Sequence, residues 1–390
     1  MAILGTAVVA ASPAWSAPTC PVGSPGPGAA LTGTPWPQLR YDLARLTPVA
    51  DGHGVTVAVV DSGVDARHPQ LAGAVVPGVD LLDGGDGRTD CVGHGTAVAS
   101  IIAGRGVPAA DRSPAAALFR GLAPGATILP VRVSEQTADG GSGTGRTVSP
   151  DAFAAAIRWA VDRGASVVNL SLVLHRDVPA VRAAVDYAVR HDVVLVAAVG
   201  NEHDRGDPVP YPAAYPGVVG VGAITSTGAR LSASQVGPYV DLVAPGEAVP
   251  AAARVRGFAR YTGTSFAAPF VAATAALIRQ YRPGLSAAQV ARRLTATADP
   301  APGGSSDGYG AGVLNPYRAV TEALDLSSPA SGVAAPPPAP RAAPAPSHQR
   351  ALTLAGAGVT LALVVLVMGL VLPAGAARRW RPGKLGNHAT

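Results

Sequence analysis

Lysine is almost missing from this 390-residue chain: Lys384 is the only one, and arginine carries nearly all the positive charge. With alanine so abundant, this reads as the codon bias of a GC-rich genome. The arginines are scattered, so the net charge of +5 lacks the clustered basic stripe that nucleic-acid binding needs. Charge of either sign is scarce, at 14% of residues against 48% hydrophobic. That balance is too apolar for a soluble protein of mixed surface, and a membrane segment is expected. Cysteine is confined to Cys20 and Cys91. No second pair of Cys or His stands at ligand spacing, which argues against zinc. Two distant cysteines in an exported chain suggest one disulfide, with two unpaired thiols as the alternative.

Glycine (47) and proline (37) are plentiful, which implies many turns and at least one unstructured linker. Residues 1–16 look like a secretory signal, with an apolar core and small residues near Ala14 to Ala17, though without a basic n-region. Residues 17–50 form a Pro/Gly-rich arm, which a Cys20–Cys91 bridge would wrap around the body at 51–326. Residues 327–350 are a Pro/Ala tether that holds the body off a membrane. Residues 351–372 hold a charge-free stretch of about twenty residues, long enough to span a bilayer. The tail, 373–390, carries Arg378, Arg379, Arg381 and Lys384. The positive-inside rule makes that tail cytoplasmic and the body extracytoplasmic.

Within the body, continuous apolar runs alternate with helical patterns. Strands are expected at 54–61, 126–133, 165–172, 193–201 and 218–224. Helices are expected at 94–104, 150–164, 178–192, after Ser265, and from about 286 to 296. In the 150–164 helix, Phe153, Ile157 and Val161 share one face and Gly164 is the stop. Such strands, buried on both faces, predict a parallel sheet with helices on both sides. Residues 134–150 read as a polar glycine loop, open to proteolysis.

In open parallel sheets, sites form at the carboxyl ends of strands. Asp61 ends the first strand, His94 opens one helix in "GHGTAVA", and Ser265 opens another in "GTSFAAP". Each has a bland alternative: an Asp after a strand is a turn, a His between glycines is a helix start, and a Ser before an apolar run is a cap. Together they supply a nucleophile, a base and a carboxylate to orient it. Pro269 is expected in the first helical turn, where a missing N–H costs little. Asp83, Asp86 and Asp90 read as a solvated acidic loop, since their spacing matches no calcium loop. His68 reads as part of a turn, and His53, His175, His191 and His203 as surface or loop residues.

The blocks "DSGVDARHPQL" (61–71), "GHGTAVASIIAG" (93–104) and "GTSFAAPFVA" (263–272), in the order Asp, His, Ser, resemble the subtilisin-like serine protease family. "GLAPGATILPVRV" (121–133) fits the same pattern, and the resemblance runs from about Gly52 to Leu324. It implies an α/β fold with a central, mostly parallel sheet. It also implies that Asp61 orients the imidazole, His94 is base then acid, and Ser265 attacks. Asn201, in "AAVGN", falls where the family keeps its oxyanion-hole amide. Ser171, Leu172 and Gly200 fall on the strand edges that pair with substrate. Val173 replaces a usual glycine there, narrowing the cleft, and "YPAAYP" (211–216) is either a wall near the S1 pocket or a structural turn. No cofactor or metal is implied. Phe266, the cysteine-bearing arm, the absence of a sizeable pro-domain between signal and body, the tether and the terminal span resemble the mycosins of type VII secretion. That resemblance implies a protein or peptide substrate and a single-pass anchor in the cell membrane. It also implies association with a secretion membrane complex, in which a mainly structural role is the alternative.

Overall fold

The computed structural model describes Cys20, Ser24 and residues 26–106, 118–136, 145–302 and 304–325. The expected signal, tether, membrane span and tail lie outside these residues, as do 137–144 of the glycine loop. Among the described residues no helix is long and apolar enough to cross a membrane.

Seven parallel strands form one sheet. In spatial order they are β2 (Val79–Asp80), β3 (Thr127–Arg132), β1 (Thr56–Asp61), β4 (Val167–Leu170), β5 (Val194–Ala198), β6 (Val218–Ile224) and β7 (Leu242–Pro245). Their Val- and Ala-rich stretches are buried almost end to end, because both faces are covered. Helices α3 (His94–Ala103) and α6 (Thr264–Tyr281) share one core with Val57, Val59, Val196 and Val221. Helices α4 (Pro150–Asp162) and α5 (Pro179–Arg190) share the other, with Ala58, Val60, Val168 and Leu195. The alternation along each strand sends neighbouring residues to opposite cores. Helix α7 (Ala287–Ala296) starts at a capping box between Ser286 and Gln289.

Several parts depart from the sequence reading, beginning with strands β2 and β7, which were not expected. The arm is not wholly extended: α1 (Trp36–Tyr41) and α2 (Leu43–Leu46) fold within it, each with a buried residue in the main core. The antiparallel hairpin of β8 (Val249–Ala252) and β9 (Phe258–Tyr261) was not expected. Ala29 pairs with its edge through two backbone bonds to Phe258. A last short helix, α8 (Pro316–Thr321), was also missed.

The expected disulfide joins Cys20 to Cys91, with Cα atoms 5.2 Å apart. It fixes the start of the arm three residues before His94.

Candidate active site

Asp61 stands at the end of β1 and His94 at the first position of α3. Imidazole Nδ1 and carboxylate Oδ1 lie 2.7 Å apart, with Asp61 1% and His94 6% exposed. The approach needs Gly95: a Cβ there would sit 2.1 Å from the Gly63 carbonyl oxygen. The same Asp61 oxygen accepts the Ser62 N–H at 2.7 Å. A carboxylate facing Nδ1 assigns the proton to that nitrogen and leaves Nε2 as the basic atom. Nε2 has no hydrogen-bond partner among the described residues.

The acidic loop is solvated at Asp83 and Asp86, as the sequence suggested, but not at Asp90, which is 1% exposed. One Asp90 oxygen accepts the Thr96 N–H and hydroxyl at 2.9 and 2.6 Å. The other accepts the N–H groups of Val92 and Gly93 and the Ser62 hydroxyl. Ser62 Oγ in turn accepts the Gly95 N–H at 2.9 Å. Asp90 and Ser62 therefore cap the first turn of the helix that carries His94. The sequence signal was present: an acid shortly before a helix start. Burial alone would lower the His94 pKa. The charge and hydrogen bond of Asp61, with the charge of Asp90, outweigh it and hold the imidazole above its ordinary value. Burial raises the Asp90 carboxyl itself, against its hydrogen bonds to Thr96 and Gly93.

Asp83 stays at the surface and joins a different cluster. Arg132, 1% exposed, binds Asp80, Asp83 and Glu135, and Arg146 binds Asp83 and Glu135. His68 closes a turn, as expected, its N–H donating to the Asp65 carbonyl at 3.0 Å, but it is buried. It is 1% exposed, its Nε2 donates to the Gly257 carbonyl at 3.0 Å, and its Nδ1 accepts the Gln70 N–H. Burial lowers its pKa.

Ser265 is not a helix cap. Gly263 holds the cap position at φ 141°, a region that favours glycine, and Ser265 is the second residue of α6. The cap is completed from outside, by Asn201 just past β5. Its Oδ1 accepts the Thr264 N–H at 2.9 Å, which fixes the amide's orientation and leaves Nδ2 free to donate. The Ser265 N–H also lacks a partner among the described residues, so two donors stand unused at one helix N-terminus.

Pro269 lies in the second turn, not the first, and so leaves unused the carbonyl four residues back, that of Ser265. The Ser171 hydroxyl takes that carbonyl at 3.0 Å, while Ser265 Oγ donates to the Ser171 carbonyl at 3.1 Å. Ser171, expected as a substrate-pairing residue, thus clamps Ser265 in both directions and is itself held by Asn169 Nδ2 at 2.8 Å. No hydrogen bond joins Ser265 to His94 among the described residues. The residue after it, Phe266, packs on the His94 ring with centroids 5.0 Å apart and stacks on Tyr261 at 4.8 Å.

Of the remaining expected residues, Leu172 has unpaired backbone groups among the described residues, as a substrate edge requires. Gly200 does not: its N–H donates to Thr264 Oγ1 and its carbonyl accepts from Gln235. The segment from Leu174 pairs with Tyr211 through two backbone bonds, which sets "YPAAYP" beside the Ser171 edge. No cluster of His, Cys, Asp or Glu among the described residues has the arrangement to hold a metal.

The chain has counterparts among known proteins. The model of the subtilase family, Peptidase_S8, matches residues 52–312. Mycosin-1 of Mycobacterium tuberculosis is 36% identical over 366 residues, covering 80% of this chain and 79% of that protein. The crystal structure of MycP1 from the ESX-1 type VII secretion system aligns with a TM-score of 0.65 at 30% identity, covering 78% of this chain and 90% of that one. A chain of the intact ESX-5 inner membrane complex aligns at 0.63 and 32% identity, covering 90% and 93%.

Proposed function

The chain belongs to the subtilase family of serine-type peptidases, and from that premise we propose that Asp61, His94 and Ser265 are its catalytic triad and that it is an endopeptidase. The observation that carries this is the 2.7 Å Asp61–His94 pair, which leaves Nε2 basic beside the first turn of α6.

The steps follow from the atoms. Ser265 Oγ turns from the Ser171 carbonyl to His94 Nε2, gives up its proton and attacks the scissile carbonyl. Resting triads often have such loose contacts, which tighten when substrate binds. Asp61 holds the imidazole in its tautomer and stabilises the imidazolium. The oxyanion meets Asn201 Nδ2 and the Ser265 N–H, at the positive end of α6. The imidazolium then protonates the leaving amine, and an acyl-enzyme remains on Ser265. A water activated by His94 hydrolyses it. The substrate backbone pairs along Ser171 and Leu172. The engaged backbone of Gly200 leaves it as a wall of the cleft.

We read residues 351–372 as a single-pass anchor with the body outside the cytoplasm. Similarity over 90% of the chain to a member of the ESX-5 inner membrane complex supports a place in a type VII secretion complex. The same observation supports a second reading, in which the body chiefly stabilises that complex. Ser265→Ala separates them. Peptide hydrolysis should fall about a million-fold with the melting temperature unchanged. Hydrolysis at the full rate refutes the triad. Secretion that survives Ser265→Ala but fails on deletion of the gene assigns the main role to structure.

A further inference from the structure

Strand β4 carries one amide among hydrocarbons. Its Val168 and Leu170 join the core of α4 and α5, and its Val167 joins that of α3 and α6. Asn169 lies between Val59 and Val196 in the sheet register, and the alternation along the strand puts it on their face, toward α3 and α6. It is 0% exposed. Its Nδ2 donates to Ser171 Oγ at 2.8 Å, and its Oδ1 has no hydrogen-bond partner among the described residues. A valine there would continue the layer and leave no orphan oxygen. Burying such an atom is costly, and native structures rarely do so without a reason.

The reason lies two residues on. The Ser171 hydroxyl has one proton, and it goes to the Ser265 carbonyl at 3.0 Å. Only a donor can then face the Ser171 lone pairs, and the Asn169 amide is that donor. The chain of bonds runs one way, from Asn169 to Ser171 to Ser265, and each bond makes the next donor stronger. One residue before the nucleophile, Asn201 Oδ1 accepts the Thr264 N–H at 2.9 Å. Side chains from beside two neighbouring strands thus hold the backbone on both sides of Ser265 Oγ. On the reading of Ser265 as nucleophile, we infer that Asn169 is a positioning residue for peptide hydrolysis. Through Ser171 it fixes the backbone from which Ser265 Oγ reaches the scissile carbonyl, and small errors in that placement are costly to the rate.

Covalent labelling of the full chain by phenylmethylsulfonyl fluoride tests this. The reagent sulfonylates Ser265 Oγ with loss of hydrogen fluoride, and it has no peptide backbone to pair with the Ser171 edge. Asn169→Leu and Asn169→Ala should each slow labelling and lower kcat about tenfold, the scale of one hydrogen bond. KM and the acid limb of the pH profile should stay in place. Leucine overfills the layer and alanine empties it, so the melting temperatures should differ while the catalytic losses agree. Ser171→Ala should lower both rates at least as far. Ser171→Ala combined with Asn169→Ala should lower them no further, because Asn169 acts only through that hydroxyl. Labelling at the parent rate in the Asn169 variants, losses that track the melting temperature, or losses that multiply in the double variant overturn this role. A parent enzyme that takes no label at Ser265 overturns the triad itself, and the role of Asn169 with it.

Discussion

Asp61 and Arg132 stand opposite each other in the β1–β3 register, and both are 1% exposed. Their surroundings differ in kind. Asp61 faces an imidazole that gains and loses a proton near neutrality, and one of its own oxygens has no partner. Arg132 is permanently charged and faces three carboxylates, two of them shared with Arg146. Two neighbouring strand ends thus carry the pair proposed as reactive and a structural one. Burial alone does not tell them apart. What does is whether the partner titrates and whether every oxygen is used.

Five variants test that contrast. The largest effect falls on the reactive side: His94→Ala should lower kcat/KM about a million-fold, like Ser265→Ala, with the fold intact by circular dichroism. On the structural side, Arg132→Ala should cost about 3–5 kcal/mol in urea unfolding, because it leaves Asp80 buried and unpaired. Arg132→Met should cost less in combination with Asp80→Leu, since paired replacement removes the orphan charge. Asn201→Ala should lower kcat about 100- to 1000-fold with KM little changed, as expected for a donor used only in the transition state. The smallest effect is a shift in pH profile. His94 must be neutral to act as base, so kcat/KM rises as pH passes upward through its raised pKa. Asp90→Asn removes one of the charges that raise it, and the acid limb should move to lower pH.

The structural cluster should ignore that pH range. The Arg146 hydrogen bonds, offset in part by burial and aided by Arg132, hold the Asp83 carboxyl down at about 2. A depressed acid contributes its stability above the ordinary value of 3.8 and loses it as pH falls toward 2. Where the His94 limb is measured, Asp83 and Glu135, whose carboxyls are held down by Arg146 and Arg132, are therefore charged.

The parts legible in the sequence were those with local signals. β1 and β6 are unbroken apolar runs, α4 carries its face and stop, and the Asp, His and Ser blocks are short and contiguous. Pairing across the chain was not legible. Asp80 and Arg132 are 52 residues apart and meet only through strand register, although an arginine inside the apolar "ILPVRV" already demanded a partner. The β8–β9 hairpin was hidden by Pro250 and by three arginines in "ARVRGFARY". Helices α1 and α2 were hidden in a stretch whose prolines read as extended. The second-turn position of Pro269 was countable, but its consequence was not: the freed Ser265 carbonyl finds Ser171, 94 residues away.

The Cys20–Cys91 bridge closes a loop of 71 residues of sequence separation around the arm and β1. Any single cut between those cysteines therefore yields two polypeptides but still one molecule. A nicked enzyme would run as one band without reductant and as two with it. Cutting the arm and releasing it would thus be separate events, and only the second would need a thiol.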